Sequence, residues 1–420
     1  MPLGAQRERN AHRVIDALRR RGIASRSDLA RTTGLSRTTV GSLVADLQAR
    51  RLLIEHEENS RQGQPGRGRP PVLLRLDPSV GVAVGIDFDH GRVRVALADL
   101  SSAVLGEACS EMDVDRSAVD AMDAAVAMIG DVRRAAAVDE TQLVGAGVGL
   151  PGPIDRRTGT VGSSVILPGW AGLAAGRELS RRLGLHVEVD NDANLGALAE
   201  ASFGAGRDMS DIVYVRLGSG LGAGLVLGGR LYHGATGLAG EIGHVQVRAD
   251  GAICRCGNRG CLETIATEGA LAALLRPALG RDVTGRELLD LVAAGDLGAR
   301  RAVNDAGRAV GRVLADLCNA LNPEAIVVGG ELSEAGEPLL GGIRTAVDRY
   351  ALPGAARAVR VLASELGERA ELLGALALVI GNTEGLSSAD LAALTHPTAP
   401  NGLVELGSVL RKEEMRAATT

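Results

Sequence analysis

The hydrophobic positions change character near residue 80. Before that point they repeat at helical spacing. "NAHRVIDALRRRG" sets Val14, Ile15 and Leu18 on one face and ends at Gly22. "SRSDLARTTG" offers Ser25 or Ser27 as an N-cap and stops at Gly34. "LSRTTVGSLVADLQARRLL" places Val40, Leu43, Val44 and Leu47 at i, i+3, i+4 and i+7. Its opposite face carries Arg37, Thr38 and Ser42, with Ser36 and Thr39 nearby. Two short helices, a glycine turn and a polar-faced third helix predict a helix-turn-helix, whose last helix enters the major groove of DNA. "RLLIE" and "PVLLRLD" then predict strands around a Gly/Pro/Arg loop. That loop is either a wing, with Arg67 and Arg69 reaching phosphates or a minor groove, or a flexible basic linker.

Beyond residue 80 the pattern becomes α/β. "VGVAVGIDFDHGRVRVALADL" and, later, "DIVYVRLGSGLGAGLVLGGRLYHG" both read as strand, turn, strand. Two such units, each followed by helices, predict a duplicated fold with a cleft between its halves. "HVEVDNDANLGALAEASFG" predicts a strand ending at Asp190, with Asn191, Asp192 and Asn194 at its carboxyl end before a helix. Ligands of α/β sheets bind at such ends. A carboxylate there accepts the proton of a sugar hydroxyl, although Asn and Asp also serve as helix caps.

Charge sharpens the division. Residues 1–76 carry a net charge of +8 and the remainder −13, within a chain of 420 residues and net charge −5. A basic module for a polyanion joined to an acidic module with another task is expected. Aromatics make up 1% of the residues, so the cores must be built from Ala, Val and Leu. No segment has the length and polarity of a membrane span, and no apolar run follows the N-terminus as a signal peptide would require. A cytoplasmic protein with reduced thiols is expected.

Five cysteines do not make a disulfide scaffold, but three of them fall as C-x-C-x4-C, at Cys254, Cys256 and Cys261. His244 lies ten residues before the first of them. Cys3His is a closed tetrahedral zinc set, so a structural zinc is expected, holding Glu241 and Glu263 in place.

These motifs resemble the ROK family of repressors, open reading frames and kinases. The stretches are "GLPGPID" (149–155), "VDNDAN" (189–194), "GSGLGAG" (218–224), "GATGLAGEIGH" (234–244), "CRCGNRGCLE" (254–263) and "NPEAIVVGGELS" (322–333). The resemblance implies a two-lobed actin-like, ribonuclease-H-like fold behind an N-terminal winged helix-turn-helix. The expected divisions are 1–76, 78–195 and 196–383, with 384–420 as a C-terminal extension. It implies zinc on His244, Cys254, Cys256 and Cys261. It also implies a sugar held by Asn191, Asp192, Glu241, His244 and Glu263, with Asp192 at the catalytic-base position. Family nucleotide residues correspond to Asp87, Gly218, Ser219, Gly220, Gly222, Gly329 and Gly330. The family's first phosphate loop runs Asp, any residue, Gly, Gly, Thr. Here it reads "DFDHG", so ATP and Mg are not expected as cofactors. The implied function is a sugar-responsive DNA-binding regulator, a homodimer or homotetramer reading an inverted repeat. The alternative is an active ATP-dependent, glucokinase-like ROK kinase acting on a hexose.

Overall fold

The computed structural model describes residues 3–56, 72–155, 159–162 and 165–382. The first helix, Leu3–Arg21, stops at Gly22, which adopts a positive φ of 71°. Ser25 and Asp28 close a reciprocal capping box on the second helix, Arg26–Thr33, which ends at left-handed Gly34. Ser36 caps the third helix, Arg37–Ala49, whose Val40, Leu43, Val44 and Leu47 are buried. Strands Leu53–His56 and Leu73–Leu76 pair antiparallel, and Ala24–Ser25 adds to the far side of the latter. The two strands expected around the Gly/Pro/Arg loop therefore form a wing base. Arg67 and Arg69 lie outside the described residues.

The two lobes share one sheet plan. In the first, the strand order is Val187–Asn191, Leu143–Leu150, Val82–Asp89, Arg92–Asp99, Val104–Glu111. Val82–Asp89 joins Arg92–Asp99 in an antiparallel hairpin and pairs in parallel with Leu143–Leu150. In the second lobe the order is Arg230–Leu231, Leu221–Leu227, Ile212–Leu217, Ala325–Gly329, Arg360–Ala363. The hairpin is again antiparallel and the following pairs parallel. The two strand–turn–strand units of the sequence occupy equivalent places in the two sheets.

Two helices fill the seam between the lobes. The clamp helix, Asp192–Phe203, packs on strands of both sheets. The return helix, Ala370–Asn382, packs on the clamp helix and on Val82–Asp89 and Leu143–Leu150 of the first lobe. A boundary that assigns residues 196–383 to the second lobe thus cuts across the packing: the chain ends its second sheet and crosses back. The approach is close. A Cβ on Gly147 would fall 2.0 Å from the Ala375 carbonyl oxygen, and one on Gly374 would fall 2.0 Å from that of Leu195. Only glycine permits such backbone contact.

The N-terminal three-helix module is not separated from the lobes by an open linker. Val14, Ile15 and Leu18 share one apolar cluster with Leu100 and Val144 of the first lobe and Leu372, Leu376 and Ile380 of the return helix.

Candidate sugar cleft and its closed phosphate side

Asp192 opens the clamp helix directly after the strand Val187–Asn191. Asn191 does the capping. Its Oδ1 accepts from the N–H groups of Ala193 (2.9 Å) and Asn194 (3.4 Å), while its Nδ2 donates to the Gly152 carbonyl at 2.9 Å. One side chain thus starts the helix and ties down the "GLPGPID" turn. That leaves the Asp192 carboxylate turned into the cleft, together with Glu241, His244 and Glu263. Ser219, Gly220 and Gly222 line the same cleft, but Asp87, Gly218, Gly329 and Gly330 do not. Asn194 instead donates to Asp190 at 2.8 Å, and Asp190 is 2.6 Å from His233 Nε2.

The cleft is rich in acceptors. Burial raises the Glu241 carboxyl to about 7, reinforced by the charges of Asp192 and Glu263. Burial also pushes Glu263 up, but the bidentate Arg255 fork (3.1 and 3.0 Å) brings it below the usual range. Arrays of buried acceptors suit a polyhydroxylated ligand, whose hydroxyls must be paired once desolvated.

His244, Cys254, Cys256 and Cys261 offer ligand atoms that all lie within 4.8 Å of one another. The cluster is shaped by its backbone. Cys254 N–H donates to the Asn258 carbonyl at 2.7 Å and Gly257 N–H to that of Cys254 at 2.9 Å. Gly260 has a positive φ of 68°, and a Cβ there would fall 1.6 Å from the Arg248 carbonyl oxygen. Zinc bonds of about 2.3 Å to sulfur and about 2.0–2.1 Å to nitrogen give tetrahedral edges of about 3.8 Å (S–S) and about 3.6 Å (S–N). Cys256 Sγ is 3.7 Å from Cys261 Sγ, and Cys254 Sγ is 3.5 Å from His244 Nδ1. Donor set and edges both fit such an ion. His244 Nε2 then faces Glu241 at 3.8 Å, as a carboxylate behind a metal-bound imidazole would.

Arg216, which no sequence motif singles out, organises the side of the cleft toward Asp89 and Glu331. The strand Ile212–Leu217 is wholly buried, and Val213, Val215 and Leu217 enter the second lobe's core. Ile212, Tyr214 and Arg216 therefore point to the other face. Arg216 Nε lies 3.4 Å from Asp192 and 3.4 Å from Glu371; Nη2 lies 3.5 Å from Asp89 and 3.4 Å from Glu331. Arg94 grips Asp87 with Nε at 3.1 Å and Nη2 at 2.8 Å. Arg92 pairs with Glu368 (2.9 Å), Glu331 (3.5 Å) and Asp89 (3.5 Å). Asp87, read as a nucleotide residue, is spent on an internal ion pair. Gly218 and Gly220 are not open cradles either: the first is covered by Glu331 and the second by Arg255. The available signal was an arginine inside an otherwise apolar strand.

On the third helix Ser36, Arg37, Thr38 and Ser42 are exposed and Thr39 is half-buried. Ser36 also serves as the cap, accepting from Thr39 N–H at 3.1 Å.

The ROK family model matches residues 83–382 and the MarR family model residues 6–63. A putative xylose repressor of Caldicellulosiruptor sp. is 31% identical, over 85% of this chain and 92% of its own length. A glucokinase of Thermotoga maritima is 32% identical, over 70% of this chain and 96% of its own. Among solved structures, a ROK family transcriptional regulator described as a homologue of the E. coli Mlc protein superposes with a TM-score of 0.75. It is 27% identical and covers 92% of this chain and 99% of its own. The chain belongs to the ROK family, carrying an N-terminal winged helix-turn-helix of the MarR type.

Proposed function

We propose that this protein is a sugar-responsive transcriptional repressor. Residues 1–76 bind operator DNA, and the cleft around Asn191, Asp192, Glu241, His244 and Glu263 takes a sugar or sugar phosphate as effector. One observation carries this reading. A winged helix-turn-helix with an exposed polar third helix shares a continuous apolar core with a ROK lobe whose phosphate side is filled by the protein's own ion pairs. The similarity to a putative xylose repressor runs through both modules, whereas the glucokinase match covers a smaller share of the chain. Fold alone would not separate regulator from kinase; the internal ion pairs of the site support the regulator.

His244, Cys254, Cys256 and Cys261 would hold a structural zinc. With four protein ligands it would fix the loop bearing Glu241 and Glu263 rather than act as a Lewis acid. The protein works in the cytoplasm as a homodimer or homotetramer, whose two-fold symmetry matches an inverted-repeat operator. Asp192 favours the second reading, a hexose kinase, because it stands where a catalytic base would. Arg216, 3.4 Å from that carboxylate, opposes it by taking the charge the base would use. Titration of a selected DNA duplex with and without D-xylose or D-glucose tests the repressor reading. A sugar-independent affinity would refute it.

A further inference from the structure

Arg216 Nε faces two carboxylates at equal distance, Asp192 and Glu371, each at 3.4 Å. It is buried and makes no hydrogen bond in good geometry with either. One N–H can be well bonded to only one of them at a time. The two acceptors belong to different parts of the machinery. Asp192 lines the sugar cleft. Glu371 is the second residue of the return helix, where its Oε1 also accepts from Tyr214 Oη at 3.1 Å.

The return helix is about 20 Å long at 1.5 Å per residue. Its other end lies under the DNA-binding module. Leu372, Leu376, Val379 and Ile380 form one stripe, and that stripe packs in the same cluster as Val14, Ile15 and Leu18 of the first helix. Arg19 of that first helix donates from Nη2 to the Ile380 carbonyl at 3.3 Å and from Nε to the Leu100 carbonyl at 3.2 Å. The helix has no slack along its sides, where glycines bring it into backbone contact with the first sheet and the clamp helix. A close-packed element of this kind moves as one piece or not at all.

Resting on the repressor reading above, we propose that Arg216 and Glu371 are positioning residues that convert occupancy of the sugar cleft into a shift of the return helix against the DNA-binding module. With the cleft empty, Asp192 and Glu371 compete for Arg216. A sugar hydroxyl donating to Asp192 Oδ2, the oxygen that faces Arg216, weakens its pull on the arginine, and Arg216 Nε then bonds Glu371. The first turn of the return helix is drawn toward the cleft, and its last turn carries Arg19 and the first helix with it. The two sites are coupled through a discrete choice of partner rather than through a diffuse path.

The test runs at about pH 9, where Glu371 is ionised, and uses the full-length protein, D-xylose and D-glucose, and a duplex selected by the wild type from a random-sequence pool without sugar. Calorimetry gives the sugar Kd, and titration gives the duplex Kd with and without saturating sugar. In Glu371→Gln the sugar Kd and the sugar-free duplex Kd stay within about threefold of wild type. The ratio of duplex Kd values with and without sugar falls at least about fivefold toward one, since couplings of this kind span about 5- to 150-fold. Arg19→Gln, at the far end of the helix, loses the ratio in the same way, and Arg19→Lys, which keeps a charged donor, retains most of it. If Glu371→Gln does not fold, the two Arg19 variants decide. An undiminished ratio in Arg19→Gln, or in a folded Glu371→Gln, overturns the relay. A wild-type protein whose duplex affinity ignores every sugar and sugar phosphate that calorimetry shows it to bind overturns the repressor reading itself.

Discussion

The carboxylate of Glu331 lies against Gly218 so closely that a Cβ on the glycine would fall 2.1 Å from Oε2. In a kinase of this fold the second glycine loop receives nucleotide phosphate; here it meets a carboxylate held by Arg216 and Arg92 at 3.4 and 3.5 Å. Phosphate brought there would face Asp89 and Glu331 together, and like charges at short range in a poorly solvated site repel strongly. The protein is therefore expected to form no ADP from ATP with any hexose in a coupled assay. Robust turnover that disappears in Asp192→Asn would contradict this.

Zinc content follows from the geometry of the Cys3His cluster. Purified protein is expected to contain about one zinc per chain. Cys256→Ser loses it, lowers the melting temperature by several degrees and weakens sugar binding at least about tenfold, because the loop holding Glu241 and Glu263 loses its anchor. Metal analysis and calorimetry on both proteins check this; metal-free wild type with full sugar affinity would contradict it.

The buried carboxylates predict a pH signature. Burial pushes the Glu371 carboxyl up to about 8, with Asp87 and Asp192 adding repulsion against the pull of Arg216. In the unfolded chain a glutamate titrates at about 4.3. The folded state thus holds this proton more tightly, so its contribution to stability is full below about pH 4 and is lost as pH rises to about 8. Thermal melts between about pH 6 and pH 8.5 are expected to show a falling melting temperature, with a shallower fall in Glu371→Gln. Parallel slopes for the two proteins would contradict the assignment.

Arg37 is exposed at the start of the third helix, beside Thr38 and Ser42. A bidentate base contact is worth about 1–3 kcal/mol of discrimination. Arg37→Ala is expected to weaken a selected duplex by that much while changing affinity for random duplex less. Arg67→Ala is expected, if that side chain touches only phosphate, to weaken both alike and to lower the salt slope by about one unit. Salt-series titrations distinguish these, and equal losses on both duplexes in Arg37→Ala would remove it from base recognition.

The local parts of this architecture were legible because their causes are local. Gly22 and Gly34 end the first two helices as read, and of the two serines offered as N-cap it is Ser25 that caps the second. The two strand–turn–strand units pair as read, and the Cys3His residues converge from a single short segment. What the sequence hid depends on long-range pairing. Tyr214 and Glu371 stand 157 residues apart, and nothing near Arg216 names its four carboxylate partners. The return helix shows a helical pattern, but periodicity does not tell which lobe its apolar stripe will meet. The degenerate "DFDHG" loop pointed to a damaged phosphate site; that the protein's own ion pairs fill the site emerged only from the geometry.

Sugar control of DNA binding through this cleft is tested by a duplex-binding titration of wild type and Glu241→Ala, with and without saturating D-xylose or D-glucose. Wild type is expected to lose at least about tenfold in duplex affinity with one of the sugars, within the usual range of site-to-site coupling. Glu241→Ala should bind the duplex as wild type does without sugar and ignore the sugar. A wild-type affinity unmoved by either sugar, or an equal shift in the variant, would contradict the account.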